Sequence, residues 1–218
     1  MKESTSKEKV LKKIRDALVD RMPAPFVGVD MESPLFAPPD SEFLEETFAK
    51  AFIKTKGKFI YCQDVSEIRD SLKIVIKQRG IKRLFCGEDY LQGLVQGLGT
   101  ELVNESGDVF SCDASITGCE ALVARLGTIV CSSSEKSGRK AMVVPPVHIV
   151  IATNKQLVYS LEEAMRHLKQ KYGQKMPSLI SFITGPSRTA DIEKTLVFGA
   201  HGPKELYLFM LDMKESDE

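Results

Sequence analysis

The sequence lacks a net charge and a long apolar run. Lysine and arginine number 30 together, as do aspartate and glutamate, so the formal net charge is zero. A balanced chain creates no long-range field that would draw it to nucleic acid or to an anionic membrane, and no local basic patch is evident. No run of about 18 apolar residues is present, and the N-terminus lacks the apolar core of a signal peptide. We therefore expect a cytoplasmic protein with no membrane span and no nucleic-acid partner.

Closely spaced metal ligands are also missing. The five cysteines are scattered among apolar neighbours without a C-x-x-C pair, which predicts buried free thiols. Such a chain offers no set of thiolates for an iron–sulfur cluster. The three histidines are too dispersed to indicate a metal site. We predict no metal and no cofactor in this chain.

Three catalytic motifs are absent. The sequence contains no G-x-x-x-x-G-K-[ST], no G-x-G-x-x-G after a strand and no G-x-S-x-G. Nucleotide hydrolysis through a P-loop and serine-hydrolase chemistry are therefore disfavoured.

Residues 1–40 are predicted to form an N-terminal helix and a proline-rich arm. Apolar side chains over 5–21 recur at helical spacing after a Ser/Thr-rich start. The stretch 22–40 is dense in proline and breaks helix and strand alike. Because it is too apolar for a free linker, we expect the arm to lie against the main body or against another subunit. A homo-oligomer is thereby left open.

The remaining chain, 41–214, is predicted to form one α/β domain. A helix capped by Ser41 is followed by a strand at 58–62, a capped helix at 64–80 and a strand at 83–87. Alternation at these lengths indicates right-handed crossovers and a parallel sheet. The fold class is therefore α/β, with a mostly parallel sheet flanked by helices.

Two later segments complete this prediction. Residues 118–126 are predicted to form a helix before the strand that follows. Residues 178–184, SLISFIT, form a continuous apolar run of the kind found in a fully buried parallel strand.

The loop Gly185-Pro186-Ser187-Arg188-Thr189 is the first candidate for a ligand site. Ligands of open α/β sheets bind beyond the carboxyl ends of the strands, where this loop is expected to lie. Gly185 permits a close backbone approach, Ser187 and Thr189 offer hydroxyls, and the guanidinium of Arg188 suits a carboxylate or a phosphate. The loop predicts an anion-binding cradle of backbone amides and a guanidinium.

His201 lies in the nearby turn GAHGP. An imidazole in a tight turn titrates near neutral pH or donates to an anion, so His201 is predicted to bind ligand and is a candidate catalytic residue. The structural alternative for the region is a helix cap with a surface arginine, which Asp191 and Glu193 would suit. His148 and His167 are expected to be structural.

Glu120 is the other candidate catalytic residue. A carboxylate near the end of an element acts as a general base when it is desolvated, and Asp113 has the same character. A charged cap is the alternative for both. Thr128, ahead of a strand, and Arg139, in the Ser-rich loop 132–139, are predicted as further ligand-binding residues, unless that loop is simply solvated.

Two blocks of this sequence resemble the LUD domain, which is found in the lactate utilization protein C family. The segment ITGPSRTADIEKTLVFGAHGP, followed by ELYLFML, closely resembles the C-terminal signature of that domain. The segment DASITGCEALVARLGTIV, then Arg139 and VVPPVHIVIA, resembles its second block. The likeness spans roughly residues 58–211.

The resemblance implies a fold similar to the glucosamine-6-phosphate isomerase, ribose-5-phosphate isomerase and CoA-transferase group. It also implies a role in the oxidation of L-lactate to pyruvate, with iron–sulfur clusters held only by oxidoreductase partner subunits. A stand-alone enzyme or sensor that binds a small anionic metabolite, such as a sugar phosphate or a CoA-like ligand, is the alternative.

One position departs from the family pattern. The family commonly has Glu-Thr-Gly-Thr where this chain has Arg125-Leu126-Gly127-Thr128. If the glutamate of the family is catalytic, position 125 lacks that carboxylate, which keeps a divergent subgroup with a different ligand open.

Overall fold

A computed structural model of the chain describes residues 5–19, 41–105, 107–190, 196–199 and 201–213. The chain divides into two units, Met1–Pro38 and Pro39–Glu218. The helices are α1 (Ser6–Val19), α2 (Leu44–Lys54), α3 (Val65–Arg79), α4 (Asp89–Val95), α5 (Gly138–Ala141) and α6 (Leu161–Tyr172). The strands are β1 (Lys58–Cys62), β2 (Arg83–Phe85), β3 (Glu101–Val103), β4 (Ala114–Thr117), β5 (Ala121–Val123), β6 (Thr128–Ser132), β7 (Val147–Thr153), β8 (Leu157–Val158), β9 (Ile180–Ile183), β10 (Arg188–Ala190), β11 (Leu196–Phe198) and β12 (Glu205–Leu211).

Helix α1 is what the structure describes of the first unit. Its start carries a reciprocal cap, because Thr5 Oγ1 accepts from the amide of Glu8 while Glu8 Oε2 accepts from the amide of Thr5. The predicted proline-rich arm lies outside the described residues.

Six parallel strands form the main sheet of the second unit, in the order β1-β12-β7-β4-β2-β3. Between β1 and β2, helix α3 begins at the cap Asp64, whose carboxylate accepts from the amide of Glu67. It ends at Gly80, whose left-handed conformation favours glycine. The predicted mostly parallel sheet flanked by helices is confirmed.

A second sheet has the order β8-β5-β6-β9 and corrects two predictions. Residues 118–126 are not a helix, because Ala121–Val123 form β5, which turns through 124–127 into the antiparallel β6. The predicted buried parallel strand SLISFIT is instead β9, which pairs antiparallel with β6 at the edge of this sheet. Its Phe182 is 44% exposed.

Helix α2 begins later than its predicted cap. Ser41 Oγ accepts from the amide of Phe43 and donates to Glu46, so Ser41 closes a turn ahead of the helix rather than capping it. The buried side chains of α2 are Phe48 and Phe52, whose rings stack with centroids 5.4 Å apart.

The core lies in three layers between helices and sheets. Helices α3 and α4 cover one face of the main sheet. The other face packs against α2 and the second sheet, so that Leu208 meets Leu122 and Ile129 in one apolar cluster. The outer face of the second sheet is covered by α6 through Ala164 and Leu168. The loops at the amino ends and at the carboxyl ends of the main-sheet strands are thereby anchored to a packed core.

The predicted buried free thiols are confirmed: Cys62, Cys86, Cys112, Cys119 and Cys131 are all buried and unbridged. In the part of the chain that the structure describes, no helix has the length and apolar character needed to cross a membrane. The same residues contain no group of three or more His, Cys, Asp or Glu side chains arranged to hold a metal ion.

Candidate functional site at the amino edge of the main sheet

The loop that follows β9 lies at the amino ends of β7 and β12. The amide of Ser187 donates to the carbonyl of Pro203, two residues before β12 begins, at 2.9 Å. The amide of Lys204 donates to the carbonyl of Pro146, one residue before β7. The expected position beyond carboxyl ends was therefore wrong, because β9 belongs to the second sheet and runs antiparallel to β6. The amide of Ser187 is committed to Pro203 and is not part of a free cradle.

The structure nevertheless brings several predicted residues to this edge. Thr128 Oγ1, on buried β6, lies 2.7 Å from Thr184 Oγ1, one residue before Gly185. Gly185 has φ +90°, and a side chain there would come within 2.5 Å of the carbonyl oxygen of Thr55. Only glycine fits this close approach to the end of α2.

Ser187 and the turn around His201 are adjacent. A Cβ placed on Gly202 would lie 3.2 Å from the Cβ of Ser187, and Ser187 accepts a hydrogen bond at its carbonyl from the amide of Gly199. His201 and Arg188 are both exposed, while Ser187 is partly buried. We name Thr128, Gly185, Ser187, Arg188, Thr189 and His201 the amino-edge cluster.

The predicted helix cap after this loop is not formed by 188–190. Arg188–Ala190 form β10, which pairs antiparallel with β11 and places Thr189 opposite Val197. Asp191 and Glu193 lie outside the described residues. Whether the amino-edge cluster binds an anion stays a prediction.

Glu120 is separate from that cluster and is held in an ion pair. Its carboxylate accepts from Ser132 Oγ at 2.5 Å, from Tyr172 OH at 2.6 Å and from Lys171 Nζ at 2.7 Å. Burial alone would raise the pKa of Glu120, but hydrogen bonds from Lys171, Ser132 and Tyr172 outweigh it, so the pKa is lowered. With its side chain 1% exposed, this carboxylate ties β5 to the end of α6.

Asp113 and Arg139 have other surroundings. Asp113 Oδ2 accepts from the amides of Lys82 and Arg83, which fits the charged-cap alternative. Arg139 is exposed and donates to Ser178 Oγ at 2.6 Å.

The carboxyl edge of the main sheet holds polar residues that the sequence analysis did not select. The strands β2 and β4 are neighbours in the main sheet. After β2 the next strand of this sheet along the chain is β3, on the side of β2 away from β4. After β4 it is β7, on the side of β4 away from β2, so the chain leaves the two strands in opposite directions. Such a switch point is where open α/β sheets bind ligands. Glu88, which is 2% exposed, connects the two loops at this switch point, because its Oε2 accepts a hydrogen bond from the amide of Gly118 at 2.7 Å.

Tyr90 closes the solvent side of Glu88. The residue is 67% exposed, yet its hydroxyl donates to Glu88 Oε2 at 2.9 Å. Burial of the hydroxyl and the charge of Glu88 raise the pKa of Tyr90. The second carboxylate oxygen, Glu88 Oε1, is buried and has no hydrogen-bond partner among the described residues.

His148, on β7, packs beside this edge. Its Nε2 lies 2.9 Å from Thr117 Oγ1, and the Thr117 hydroxyl donates to the carbonyl of Gly118. The hydroxyl therefore accepts from the imidazole, which places the ring proton on Nε2. Complete burial lowers the pKa of His148 to about 4, so the ring is neutral at physiological pH. Its burial and its contact with Thr117 fit the structural role expected for His148.

A signal for Glu88 was present in the sequence, since it follows the strand RLF and a Cys-Gly pair at a predicted carboxyl end.

The fold defines an α/β protein in which a parallel sheet packs on a smaller mixed sheet. A solved DUF162 family protein from Deinococcus radiodurans has a similar fold, with a TM-score of 0.56 at 15% identity over 77% of this chain and 96% of that one.

Sequence comparisons give the family. The LUD domain model matches residues 106–211. Lactate utilization protein C from Geobacillus sp. is 32% identical over 167 residues, which cover 67% of this chain and 69% of that protein. Lactate utilization protein C from Shouchella clausii is 39% identical over 103 residues, but the match spans only 45% of its length. This chain belongs to the LUD domain family, alongside proteins named lactate utilization protein C.

Proposed function

We propose that the chain serves in lactate utilization and binds a small carboxylate at the amino-edge cluster. The names of its relatives support the pathway. The observation that carries the site is that Ser187 meets the turn of His201, while Thr128, from a distant segment of the chain, contacts Thr184 at the start of the same loop.

The chemistry of the cluster suits a carboxylate. A guanidinium binds a carboxylate through two parallel hydrogen bonds, and Arg188 is exposed and directly follows Ser187 in the chain. The imidazole of His201 adds a hydrogen-bond donor. A 2-hydroxy acid also carries a hydroxyl, and the Ser187 hydroxyl can donate a hydrogen bond to it or accept one from it.

Partner proteins complete the proposal. In it, lactate is oxidised to pyruvate in a complex whose iron–sulfur clusters belong to oxidoreductase partner subunits, and this chain contributes the carboxylate site.

Ligand binding is tested by thermal unfolding with L-lactate, pyruvate, inorganic phosphate and CoA in separate arms. A ligand at 100 times its dissociation constant adds about 2.7 kcal/mol to the free energy of unfolding. We expect lactate or pyruvate to stabilise the wild type and to stabilise Arg188→Gln much less. Arg166→Gln is the matched control, since Arg166 is an exposed arginine on α6 that pairs with Glu162.

The arms separate the two candidate functions. Stabilisation by phosphate or CoA, and not by lactate or pyruvate, would favour the stand-alone enzyme or sensor. Equal stabilisation of wild type and Arg188→Gln would contradict binding of the carboxylate at the amino-edge cluster. Purification from cells grown on lactate, with iron and sulfide assays of the copurifying fraction, tests the partners. Recovery of the chain alone would contradict the complex.

A further inference from the structure

We infer that the carboxyl edge of the main sheet holds a second ligand site, which takes a small molecule carrying a hydroxyl beside an anionic group. This site is distinct from the amino-edge cluster and does not depend on it. We name its inner part the carboxyl-edge cavity, lined by Glu88, Thr117, Gly118, Ser137 and their neighbours.

Two buried polar atoms in the cavity lining need a partner. Ser137 is 4% exposed, and its Oγ has no hydrogen-bond partner among the described residues. Glu88 Oε1 is also buried without a hydrogen-bond partner among the described residues, whereas Oε2 of the same carboxylate accepts from Gly118 and Tyr90. Leaving a buried donor or acceptor unsatisfied costs about 1–3 kcal/mol. Two such groups in the lining of one cavity give it the capacity to hydrogen-bond a polar group bound there.

The size of the cavity limits what that group is. Its volume of about 10 Å³ matches a single water-sized group. A hydroxyl has that size, and it can donate to Glu88 Oε1 while it accepts from Ser137 Oγ. The cavity therefore accommodates one hydroxyl of a ligand and not its whole body.

A larger groove beside the cavity accommodates the rest of the ligand. The groove has a volume of about 420 Å³ and shares Glu135, Ser137 and Gly138 with the lining of the cavity. Three cationic side chains line it as well: Lys136, Arg139 and Lys140. Lys136 pairs with Asp89, and Lys140 Nζ lies 5.1 Å from the centre of the Phe110 ring, so Arg139 is the cation of the groove best suited to an anionic ligand.

The charged side chains of the groove and the cavity select different groups at the two ends of a ligand. Arg139 is exposed and bonded only to the neutral hydroxyl of Ser178 among its described contacts, so its charge is uncompensated. An anionic group binds there by charge-assisted hydrogen bonds. At the inner end, Glu88 and Glu135 repel an anion and favour a donor. Burial, then repulsion by Glu88 and Glu120, raises the pKa of Glu135.

Gly87 fixes the distance between the two sides of the cavity. A Cβ at position 87 would lie 2.8 Å from both Cα and N of Ser137. Only glycine lets the loop that carries Ser137 approach the end of β2 this closely.

The test uses the full chain labelled with ¹⁵N and follows backbone amides by NMR during titration. The probes are two matched pairs: L-lactate with propionate, and 2-hydroxyethyl phosphate with ethyl phosphate. Within each pair the first carries the hydroxyl, and the pairs distinguish a carboxylate from a phosphate ligand. We expect saturable shifts of the Gly118 and Gly138 amides with a hydroxylated probe, and binding about tenfold weaker without the hydroxyl.

Two variants locate the contact. Ser137→Ala should weaken binding of the hydroxylated probe about tenfold and abolish its preference over the matched probe. Glu88→Gln keeps an oxygen for the Gly118 amide but places an NH₂ group in the cavity. It should therefore also weaken binding of a probe whose hydroxyl donates to Glu88 Oε1. Ser134→Ala, an exposed serine of the same loop outside both linings, is the control and should leave binding unchanged.

Two results would overturn the second site. One is the absence of saturable shifts at Gly118 and Gly138 with all four probes. The other is equal response to both members of each pair. Neither result bears on Arg188, so failure here is distinguishable from failure of the amino-edge cluster.

Discussion

The carboxylate of Glu88 accepts a hydrogen bond from the backbone amide of Gly118 at 2.7 Å, and so links the carboxyl ends of β2 and β4. The two residues are 30 positions apart in sequence and meet only because these strands are neighbours in the sheet. The hydrogen bond fixes one carboxylate oxygen and directs the other into the carboxyl-edge cavity.

Replacement of Gly87 by alanine is expected to destabilise the protein by about 1–3 kcal/mol. Its Cβ would meet the backbone of Ser137 at 2.8 Å, so the loop must shift. Gly93→Ala is the control, because a Cβ there meets nothing within 4 Å, and alanine in the interior of α4 should stabilise by about 0.5–1 kcal/mol. Urea unfolding measures both, and equal effects would contradict the close approach at Gly87.

Glu120→Gln is expected to lower the free energy of unfolding by about 1.5–3 kcal/mol at pH 7, because Lys171 loses its charged acceptor. The pKa of Glu120 is lowered in the folded protein, so its stabilising contribution is fully present above pH 4.5 and is lost as the pH falls further. The difference between wild type and variant should therefore shrink below pH 4.5.

Urea unfolding across pH 3–7 checks that trend. Glu162→Gln, at an exposed residue paired with Arg166, should cost under about 0.5 kcal/mol and serves as the control. A difference for Glu120→Gln that is constant with pH would show that the carboxylate charge is not the cause.

His148 is expected to make the protein sensitive to mild acid. Burial lowers its pKa from 6.5 to about 4, so between these values the unfolded chain binds a proton that the folded protein does not. Stability is unaffected by this group above pH 6.5 and should fall by up to about 1.4 kcal/mol per pH unit below it. His148→Gln should flatten this slope, whereas His167→Gln, at an exposed residue of α6, should not. Denaturant titrations at pH 7, 6 and 5 decide between these outcomes.

The five cysteines are expected to be unreactive in the folded protein. Burial raises the pKa of Cys62 to about 11 and that of Cys86 to about 12, and the thiolate is the reactive form. A coloured thiol reagent at pH 8 should react slowly with the native chain and rapidly with five thiols after denaturation. A fast-reacting thiol in the native protein would contradict the packing described here.

Elements with local signals were predicted well. Helix α3 is framed by Asp64 and Gly80, whose side chain and backbone conformation act within one turn of the chain. The strands β1 and β2 follow from apolar runs beside that helix. Such features need no knowledge of distant residues, which is why the parallel sheet could be predicted from sequence.

The errors came from pairing between distant segments. Ala121–Val123 consist of residues that suit a helix or a fully buried strand, and burial between the main sheet and α6 decides for the strand. The direction of β9 depends on its partner β6, which lies about 50 positions earlier. Reversing that strand moved the Gly185 loop to the opposite edge of the sheet.

Contacts between distant segments also explain why part of the carboxyl-edge cavity was not predicted from the sequence. Glu88 follows a strand and a glycine, a pattern that points to a strand end. Ser137 lies in a polar loop, and its burial results from the close approach to Gly87, which no local pattern records. Composition could not distinguish it from the exposed Ser134 three residues earlier.

A parallel sheet has polarity, because every strand in it points the same way. The amino-edge cluster and the carboxyl-edge cavity lie at its opposite ends, and the strands between them are packed on both faces by apolar side chains. The two proposed sites are therefore separated by the packed length of the sheet, and ligands bound at both would not compete for space.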